Sequence, residues 1–600
     1  MHKSTFVSFV LAALYVAPSL AATYTQPYQL PRISYDYVIV GAGNAGNVIA
    51  SKLSEDPNIQ VLVLEAGGSD ENVLPAIVPF LGPTLTPNTP YDWNYTVAAQ
   101  EGLDNRSFAY PRGKILGGCS TANYMVHHYG SSDDWDKLAS VTGDSGWSWD
   151  SVRQYRFQHE KMVPPADGHD TTGQWDPSLH GTNGPVSISL PGHSQTIDAK
   201  VIATTQELSD EFPFLPDTGG GDILGVGWTQ NSIGNGQRSS SSTAYLRPAS
   251  SRPNLHILLN AHVMKLLPTG INFRDGKPIF GGVMFANPSN RIVLPFIVLA
   301  SKEVILSAGA INTPQILMLS GIGPRSELNQ HRILTLVDNP SVGRNLSDHV
   351  LLPNNFLAQG SESLDTLFRD GNAFQSALDQ WTQHKTGPLA NGVTNHLGFL
   401  RLPNNATIFQ TEADPAAGPK ASHWELIVSN FWLNPSAGIP ATGNFMTIIA
   451  ALISPTSRGF VKLASSDPFA KPIIDPKLVT TPFDKFAMRE AVRAVKRFVG
   501  ASAWDDYIIG PYGSLAADDD AGIDAHVRQW SSTVFHPVGT AAMSPANAQW
   551  GVVDPNLKLK GAHGVRIADA SVLPYVPNAH TQGPVYLVAH RAAALIKADQ

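Results

Sequence analysis

The sequence contains very little cysteine and little charge. Cys119 is the single cysteine among 600 residues, which excludes an intramolecular disulfide. Charged residues make up 15% of the chain, with 41 basic and 49 acidic side chains and a formal net charge of −8. Basic runs are missing, and this argues against a nucleic-acid partner. We therefore expect a globular protein that is stabilised by its core and binds no nucleic acid.

Long apolar runs are also missing beyond the N-terminus. Residues 6–17 are apolar, follow Lys3 and precede the small residues Ala21 and Ala22, a pattern typical of a cleaved secretory signal. A membrane anchor would need about 18 or more apolar residues, so that alternative is disfavoured. We predict a signal peptide over residues 1–22 and a secreted, extracellular protein with no membrane partner.

Four N-x-S/T sequons are consistent with export from the cell. They lie at Asn94, Asn105, Asn345 and Asn405. The motif arises often by chance, so each asparagine is a glycosylation candidate and a weak signal by itself.

A dinucleotide-binding pattern lies near the start of the chain. Residues 35–40 are typical of a buried parallel strand, residues 47–54 of a helix, and residues 60–64 of a second strand. The G-x-G-x-x-G motif at 41–46 joins the first strand to the helix. Strand, glycine turn, helix and strand within about 30 residues indicate a βαβ unit.

Each glycine of this motif has a separate physical role. Gly41 permits the tight turn, Gly43 lets the backbone approach a pyrophosphate, and Gly46 lets the helix pack closely on the strand. Free N–H groups at the helix N-terminus face the phosphates. Glu65 ends the second strand, where a carboxylate binds ribose hydroxyls and disfavours NADP. The motif alone leaves NAD and FAD open.

Later apolar segments are candidates for the same sheet, and a second layer follows them. The segments lie at 254–259, 261–266, 303–307 and 565–567. Between 350 and 530 the composition changes, and residues 484–499 indicate a long helix. We therefore expect a dinucleotide-binding domain built from discontinuous pieces, beside a layer that faces the substrate.

Further motifs follow in order along the chain. They lie at 65–68, 110–124, 180–185, 307–315, 342–349, 457–459, 535–540, 569–570 and 578–584. Together with the glycine turn they resemble the glucose-methanol-choline (GMC) family of FAD oxidoreductases, over nearly the whole chain after the signal. Within that family, residues 122–126 and 532–537 are similar to the active-site stretches of fungal aryl-alcohol oxidases.

The resemblance implies a fold and a division into domains. We expect an α/β (mixed α+β) protein, with a Rossmann-type FAD-binding domain and a substrate-binding domain built on an antiparallel sheet and helices. The FAD-binding domain is assigned approximately to residues 34–110, 232–346 and 534–600. The substrate-binding domain is assigned to residues 111–231 and 347–533, and the N-terminal 22 residues are excluded as the signal.

The resemblance also implies that FAD is bound, non-covalently as in aryl-alcohol oxidases. In such enzymes the glycine turn and Glu65 hold the ADP half, and Val263 holds the adenine through its backbone. The expected cofactor-binding residues are Gly41, Gly43, Asn44, Ala45, Gly46, Glu65, Ala66, Gly117, Gly118, Cys119, Asn123, Tyr124, Met125, Val126, Val263, Asp569, Ala570, His580 and Thr581. His127 and His128 lack a matching ligand set at metal-binding spacing, and we expect no metal.

Alcohol oxidation needs a base that takes the hydroxyl proton as hydride leaves the carbon, and histidine is the usual choice. Of the 19 histidines, His536 lies in a stretch too irregular for a plain helix, and His580 lies just before a helix-like segment. By sequence alone, either is compatible with a structural role. The resemblance places both against the flavin. It implies that His536 is the general base and that His580 binds the alcohol oxygen.

Four residues are expected to form the substrate pocket. Tyr124 and Phe535 are predicted as aromatic walls, with a place in the core as the alternative. Phe431 and Leu433 are placed in the pocket by the resemblance, and Leu433 replaces an aromatic residue that narrows the access channel in aryl-alcohol oxidases. Cys119 stands where a serine is usual in the family.

The resulting prediction is a secreted oxidase of aromatic or allylic primary alcohols. Hydride passes to flavin N5, the alcohol becomes an aldehyde, and O₂ is reduced to H₂O₂. Three alternatives stay open: an FAD-dependent dehydrogenase or oxidase of sugars or other alcohols that uses a quinone acceptor, a flavin-containing hydroxynitrile lyase, and a non-enzymatic binding protein. We expect a monomer whose small-molecule partners are the alcohol and its electron acceptor.

Overall fold

The computed structural model describes residues 23–290 and 293–600. The predicted signal peptide, residues 1–22, lies outside the described residues. The two largest sheets of the described residues are one mixed sheet and one antiparallel sheet, each packed against helices, which confirms the predicted α/β (mixed α+β) fold. Within the described ranges no helix combines the length and the apolar character that crossing a bilayer requires.

The larger sheet has eight strands and carries the glycine turn. Most neighbours in it run parallel, and an antiparallel meander extends one edge. The strand order is Thr23–Tyr24, Leu255–Leu258, Val61–Leu64, Ser34–Val40, Phe296–Leu306, Pro278–Ala286 and His262–Ile271, and Val565–Ile567 also pairs with Phe296–Leu306. Segments far apart in sequence therefore meet at one sheet, as the scattered apolar runs predict.

The predicted βαβ unit is present at the centre of this sheet. Strand Ser34–Val40 leads through the glycine turn into helix Asn44–Leu53, and the chain returns as strand Val61–Leu64. The strand residues from Tyr37 onwards are buried, because helices cover both faces of a parallel sheet. The helix packs against the C-terminal helix Gln582–Ala598, so both ends of the chain stabilise the cofactor domain.

Gly46 is the closest contact between helix and strand in this unit. A Cβ atom at this position would lie 2.0 Å from the carbonyl oxygen of Gly41 and 3.3 Å from Cγ2 of Ile39. Any larger side chain would therefore push the helix away from the strand and distort the glycine turn.

The second sheet is antiparallel and has six strands. Its order is His396–Leu400, Trp424–Ser429, Asn444–Leu452, Val350–Ala358 and Ile508–Pro511, with Ser532–Thr533 also paired to Val350–Ala358. The long helix Pro482–Val499 packs on one face, in agreement with the predicted helix at 484–499.

Alternate residues of these strands face opposite layers, as the pleat of a β-strand requires. Ile448, Ala450 and Leu452 pack in the cluster that includes helix Pro482–Val499. Ile449 and Ala451 point to the other face, together with Leu351 and Ile427. Both faces are buried, which explains why the strand Asn444–Leu452 is almost continuously apolar.

The four sequons differ in their surroundings. Asn105 and Asn405 are exposed, whereas Asn94 is half-buried. The side-chain amide of Asn345 donates a hydrogen bond of 2.7 Å to the carbonyl oxygen of Pro574. Glycan attachment uses that amide nitrogen, so the structure favours Asn105 and Asn405 over Asn345 as acceptors.

We predict that Gly46→Ala lowers stability by about 1–3 kcal/mol and weakens retention of the cofactor, because the added methyl overlaps the Gly41 carbonyl. Thermal unfolding and the flavin-to-protein absorbance ratio measure the two effects. Gly371→Ala is the matched control, since a Cβ there meets no atom within 4 Å. A Gly46→Ala protein with the same thermal stability and the same flavin content as the control would contradict this account of the turn.

Candidate active site

One large cavity extends between the two sheets. Residues of both sheets line it, and it is partly open to solvent. The glycine turn and Glu65 line one end, and His536 and His580 line the other. A cavity of this length accommodates an extended dinucleotide whose reactive ring reaches the histidine pair.

The nucleotide end has the features that a pyrophosphate and a ribose require. Gly41 has φ +100°, and a Cβ added to Gly43 would meet no atom within 4 Å, which leaves room for phosphate oxygens. The two carboxylate oxygens of Glu65 accept backbone N–H bonds of 2.8 Å from Ala42 and 2.7 Å from Gly67. Burial raises the pKa of Glu65. These residues therefore fit the ADP half of FAD.

The middle of the cavity is shaped by the loop that follows Gly117 and Gly118. Both glycines have positive φ, +89° and +55°, and a Cβ on Gly117 would lie 2.2 Å from Oγ1 of Thr121. Further along, Oδ1 of Asn123 accepts hydrogen bonds of 2.7 Å from Nη1 of Arg238 and 3.1 Å from the backbone N–H of Met125. The loop is thereby fixed along the path of the cofactor.

Most of the predicted cofactor-binding residues come together on this cavity. Those that line it are Gly41, Gly43, Asn44, Ala45, Glu65, Ala66, Gly118, Cys119, Asn123, Tyr124, Met125, Val126, Val263, Asp569, Ala570, His580 and Thr581. Gly46 and Gly117 do not line it, because each lies behind the turn that it permits. Asp569 also organises the wall, since Oδ2 accepts bonds from the Gly309 N–H and Thr313 Oγ1.

His536 and His580 meet at the far end of the cavity, with ring centroids 4.8 Å apart at 68°. The His536 backbone N–H donates to Oδ1 of Asp348 at 2.8 Å. Phe535 before it has φ +68°, a strained conformation for a bulky residue, and its carbonyl accepts a 2.6 Å bond from Nη1 of Arg112. Contacts on both sides of the peptide therefore fix the position of His536.

The surroundings of His536 keep its ring uncharged. Burial lowers its pKa well below the ordinary value, and the nearby His580 and His349 lower it further. A histidine is a base only when it is neutral. His536 is therefore in the base-competent form over the neutral pH range.

His580 is held by a carboxylate, which distinguishes it from His536. Nε2 of His580 lies 2.9 Å from Oε1 of the fully buried Glu425, and its backbone N–H donates to Nε2 of His128 at 3.1 Å. Donor atoms of these three side chains lie within 4.8 Å of one another, and the hydrogen bonds account for that proximity. The arrangement orients His580 towards the cavity.

Glu425 was not predicted from the sequence, and His128 was given no role in holding His580. Glu425 is the single acidic residue of strand Trp424–Ser429, two residues before Ile427, and the pleat places both on the cavity side. An isolated carboxylate in an apolar strand is the signal that identifies it, because burial without a partner is costly.

Three of the four predicted pocket residues line the cavity. Tyr124 and Phe535 form an edge-to-face pair with centroids 6.4 Å apart, and Leu433 lies on the same wall. The expectation for Phe431 needs correction. It does not line the cavity, and its ring lies in a cluster with Phe80 and Phe368, at centroid distances of 5.6 and 5.5 Å, against which Leu433 also packs.

Much of the substrate side is apolar. Its apolar lining residues beyond the aromatic pair are Leu351, Val393, Ile427, Leu433, Ile449 and Val534. Polar residues of the same cavity lining include His536, His580 and Thr394.

A dinucleotide cavity that ends at paired histidines fits the class of flavin-dependent oxidoreductases. Comparison with known proteins agrees. The family model described as GMC oxidoreductase matches residues 35–351 with its N-terminal part and residues 455–589 with its C-terminal part. The chain belongs to the GMC oxidoreductase family, as the sequence motifs predict, and FAD is its expected cofactor.

Individual relatives differ in what they act on. The chain is 39% identical to a pyranose dehydrogenase of Agaricus xanthodermus, covering 100% of this chain and 98% of that protein. A solved formate oxidase variant of Aspergillus oryzae is 30% identical, with a TM-score of 0.86 over 94% and 98% of the two chains. A solved fungal aryl-alcohol oxidase is 27% identical, with a TM-score of 0.79 over 95% and 99%.

We predict that Glu425→Gln slows reduction of the bound flavin by an alcohol by about 10–100-fold, because His580 loses its anionic partner. Anaerobic stopped-flow absorbance measures the rate. The flavin spectrum is expected to be unchanged, since Glu425 does not line the cofactor path. A variant that reduces its flavin at the normal rate would show that His580 needs no carboxylate.

Proposed function

We propose that this chain is an FAD-dependent oxidase of primary alcohols that carry an aromatic or allylic group. The observation that carries the proposal is the apolar wall of Leu351, Ile427 and Ile449 opposite the histidine pair. Such a wall favours a flat apolar substituent next to one hydroxyl group. Bound FAD supplies the acceptor for the hydride.

His536 and His580 have different tasks in the proposed reaction. Neutral His536 takes the hydroxyl proton, and the hydrogen on the same carbon leaves with its electron pair, so that the alcohol becomes an aldehyde. His580, held by Glu425, binds the alcohol oxygen. Tyr124 and Phe535 contact the aromatic group and exclude water from the reacting carbon.

A sugar dehydrogenase is the second candidate. It is favoured by the 39% identity to a protein named pyranose dehydrogenase. A pyranose has several hydroxyl groups, and a site that binds them requires polar partners for each. The apolar lining supports the aromatic alcohol over the sugar.

The electron acceptor also differs between the two candidate functions. We propose O₂, with H₂O₂ as the product, in line with the oxidases among the similar structures. A quinone is the alternative, favoured by the relative named a dehydrogenase. A hydroxynitrile lyase would leave the flavin oxidised in the presence of an alcohol.

We also propose that the protein is secreted and that FAD is held non-covalently. The N-terminal signal pattern supports secretion, and the exposed Asn105 and Asn405 are compatible with glycosylation. Non-covalent binding agrees with the position of His127, which contacts Tyr129 and Glu160 and does not line the cavity. Release of free flavin on acid precipitation is the expected behaviour.

The proposed substrate is tested by mixing the purified protein anaerobically with 4-methoxybenzyl alcohol and, separately, with glucose. We expect rapid bleaching of the flavin by the aromatic alcohol and slow bleaching by glucose, because the wall offers few partners for sugar hydroxyls. Admission of air is then expected to restore the oxidised flavin and to yield peroxide.

Other outcomes separate the alternatives. Bleaching by glucose and not by the aromatic alcohol would establish a sugar as the substrate. A flavin that stays reduced in air would establish a dehydrogenase. An oxidised flavin with every alcohol would contradict the proposal and favour the lyase.

We predict that His536→Ala lowers the rate of flavin reduction by about 10²–10⁴-fold, as expected for loss of a general base. The wild-type rate is expected to be level as the pH falls from about 8 to about 6.5, because the pKa of His536 lies well below 6.5 and the ring stays neutral. Protonation, and therefore loss of rate, begins only at lower pH.

The matched control is His526→Ala. His526 is equally buried but contacts Ser514, away from the cavity. Equal rates in the two variants, or a wild-type rate that declines steadily between about pH 8 and 6.5, would count against His536 as a neutral base.

A further inference from the structure

A third histidine lies directly behind the histidine pair. Nδ1 of His349 is 3.0 Å from Nδ1 of His536, and the two rings are nearly perpendicular, at 84°. His349 is fully buried and does not line the cavity. Nδ1 of His536 is therefore engaged from behind, and Nε2 is the nitrogen left for the substrate.

A hydrogen bond between two neutral imidazoles contains one proton, which belongs to one ring. If the shared proton were bonded to His349, Nδ1 of His536 would accept the hydrogen bond and His536 would have its own proton on Nε2. In that form His536 would donate to the substrate oxygen and would be unable to take a proton from it. If the shared proton is bonded to Nδ1 of His536, the lone pair of Nε2 is free and the ring can act as a base.

The base role proposed for His536 decides between these two arrangements. A base needs the lone pair of Nε2, so the shared proton belongs to Nδ1 of His536, and Nδ1 of His349 accepts the 3.0 Å bond. His349 then has its own proton on Nε2, which has no hydrogen-bond partner among the described residues.

We propose that His349 is a positioning residue that fixes His536 in the tautomer with Nδ1 protonated and Nε2 free to accept the alcohol proton. The inference rests on the proposed role of His536 as the base. His349 touches neither substrate nor cofactor, and it acts through the 3.0 Å contact between the two Nδ1 atoms.

Other charged or titratable groups near His536 do not supply this function. Arg112, His580 and His128 approach from the neighbouring loops and have no hydrogen bond with the His536 ring. Asp348 accepts the backbone N–H of His536 and therefore fixes the backbone and not the tautomer. Among the described residues, the 3.0 Å contact with His349 is the hydrogen bond that reaches the imidazole of His536.

The test compares two substitutions of His349 in the flavin-loaded enzyme. His349→Phe keeps the ring volume and removes the acceptor, whereas His349→Gln keeps an oxygen that accepts from Nδ1 of His536. We expect reduction by 4-methoxybenzyl alcohol to slow by about 10–100-fold in the Phe variant and to recover most of that loss in the Gln variant. His526→Phe is the matched control for loss of a buried histidine.

The pH profile separates a tautomer effect from damage to the site. The two neutral tautomers contain the same number of protons, so their ratio is independent of pH. The loss in His349→Phe is therefore expected to be the same at every pH between about 6.5 and 8, with the apparent Kd for the alcohol unchanged. The solvent deuterium isotope effect on flavin reduction is expected to increase, because proton transfer becomes limiting.

The failures of the two proposals are distinguishable. A His536→Ala enzyme that reduces its flavin at the normal rate would overturn the base role and this inference with it. Slow His536→Ala together with normal His349→Phe would overturn the inference alone. Two further results would also overturn the inference alone. One is a His349→Gln enzyme that reduces its flavin as slowly as His349→Phe at normal flavin content, and the other is a decrease in the His349→Phe rate that changes with pH.

Discussion

The buried carboxylate of Asp348 joins the parts of the molecule that must meet at the active site. It accepts hydrogen bonds of 2.5 Å from the Tyr110 hydroxyl, 2.6 Å from Thr533 Oγ1 and 2.8 Å from the His536 N–H. Burial raises its pKa to about 6, and the hydrogen bonds from Thr533 and Tyr110 oppose that rise. A carboxylate in such a place requires every one of these donors, so the loops that supply them are fixed relative to one another.

The two active-site histidines are held in different ways. His536 is placed through its backbone N–H, which donates to Asp348, while burial and the neighbouring His580 and His349 keep its imidazole uncharged. His580 is placed through its ring by Glu425. Two residues of one type are therefore fixed by different contacts, one through its backbone and the other through its ring.

The sequence was sufficient to predict the cofactor half of the molecule. The strand, glycine turn and helix around Gly41 are local in sequence, and the structure confirms the steric requirement for glycine at Gly41 and Gly46. His536 and His580 were identified through resemblance to a family, because neither residue has a local signature of its function. That identification still leaves their roles as proposals.

The residues that hold the two histidines could not be predicted from the sequence, for a physical reason. Glu425 and His349 act across 155 and 187 residues of chain, and such pairs depend on how the antiparallel sheet meets the larger one. Phe431 was also predicted to be part of the pocket, and it does not line the cavity. Its segment lacks the regular alternation of a strand, so the facing of each side chain follows from tertiary packing.

The alternation along strand Asn444–Leu452 has a consequence for how such an enzyme changes over evolutionary time. Ile448 and Ala450 contribute to the folded core beneath helix Pro482–Val499, whereas Ile449 between them shapes the chamber above the histidines. Selection for a new alcohol therefore acts on every second position, while selection for a foldable chain acts on the residues between. A family with this sheet can diversify in what it accepts and still inherit the same scaffold.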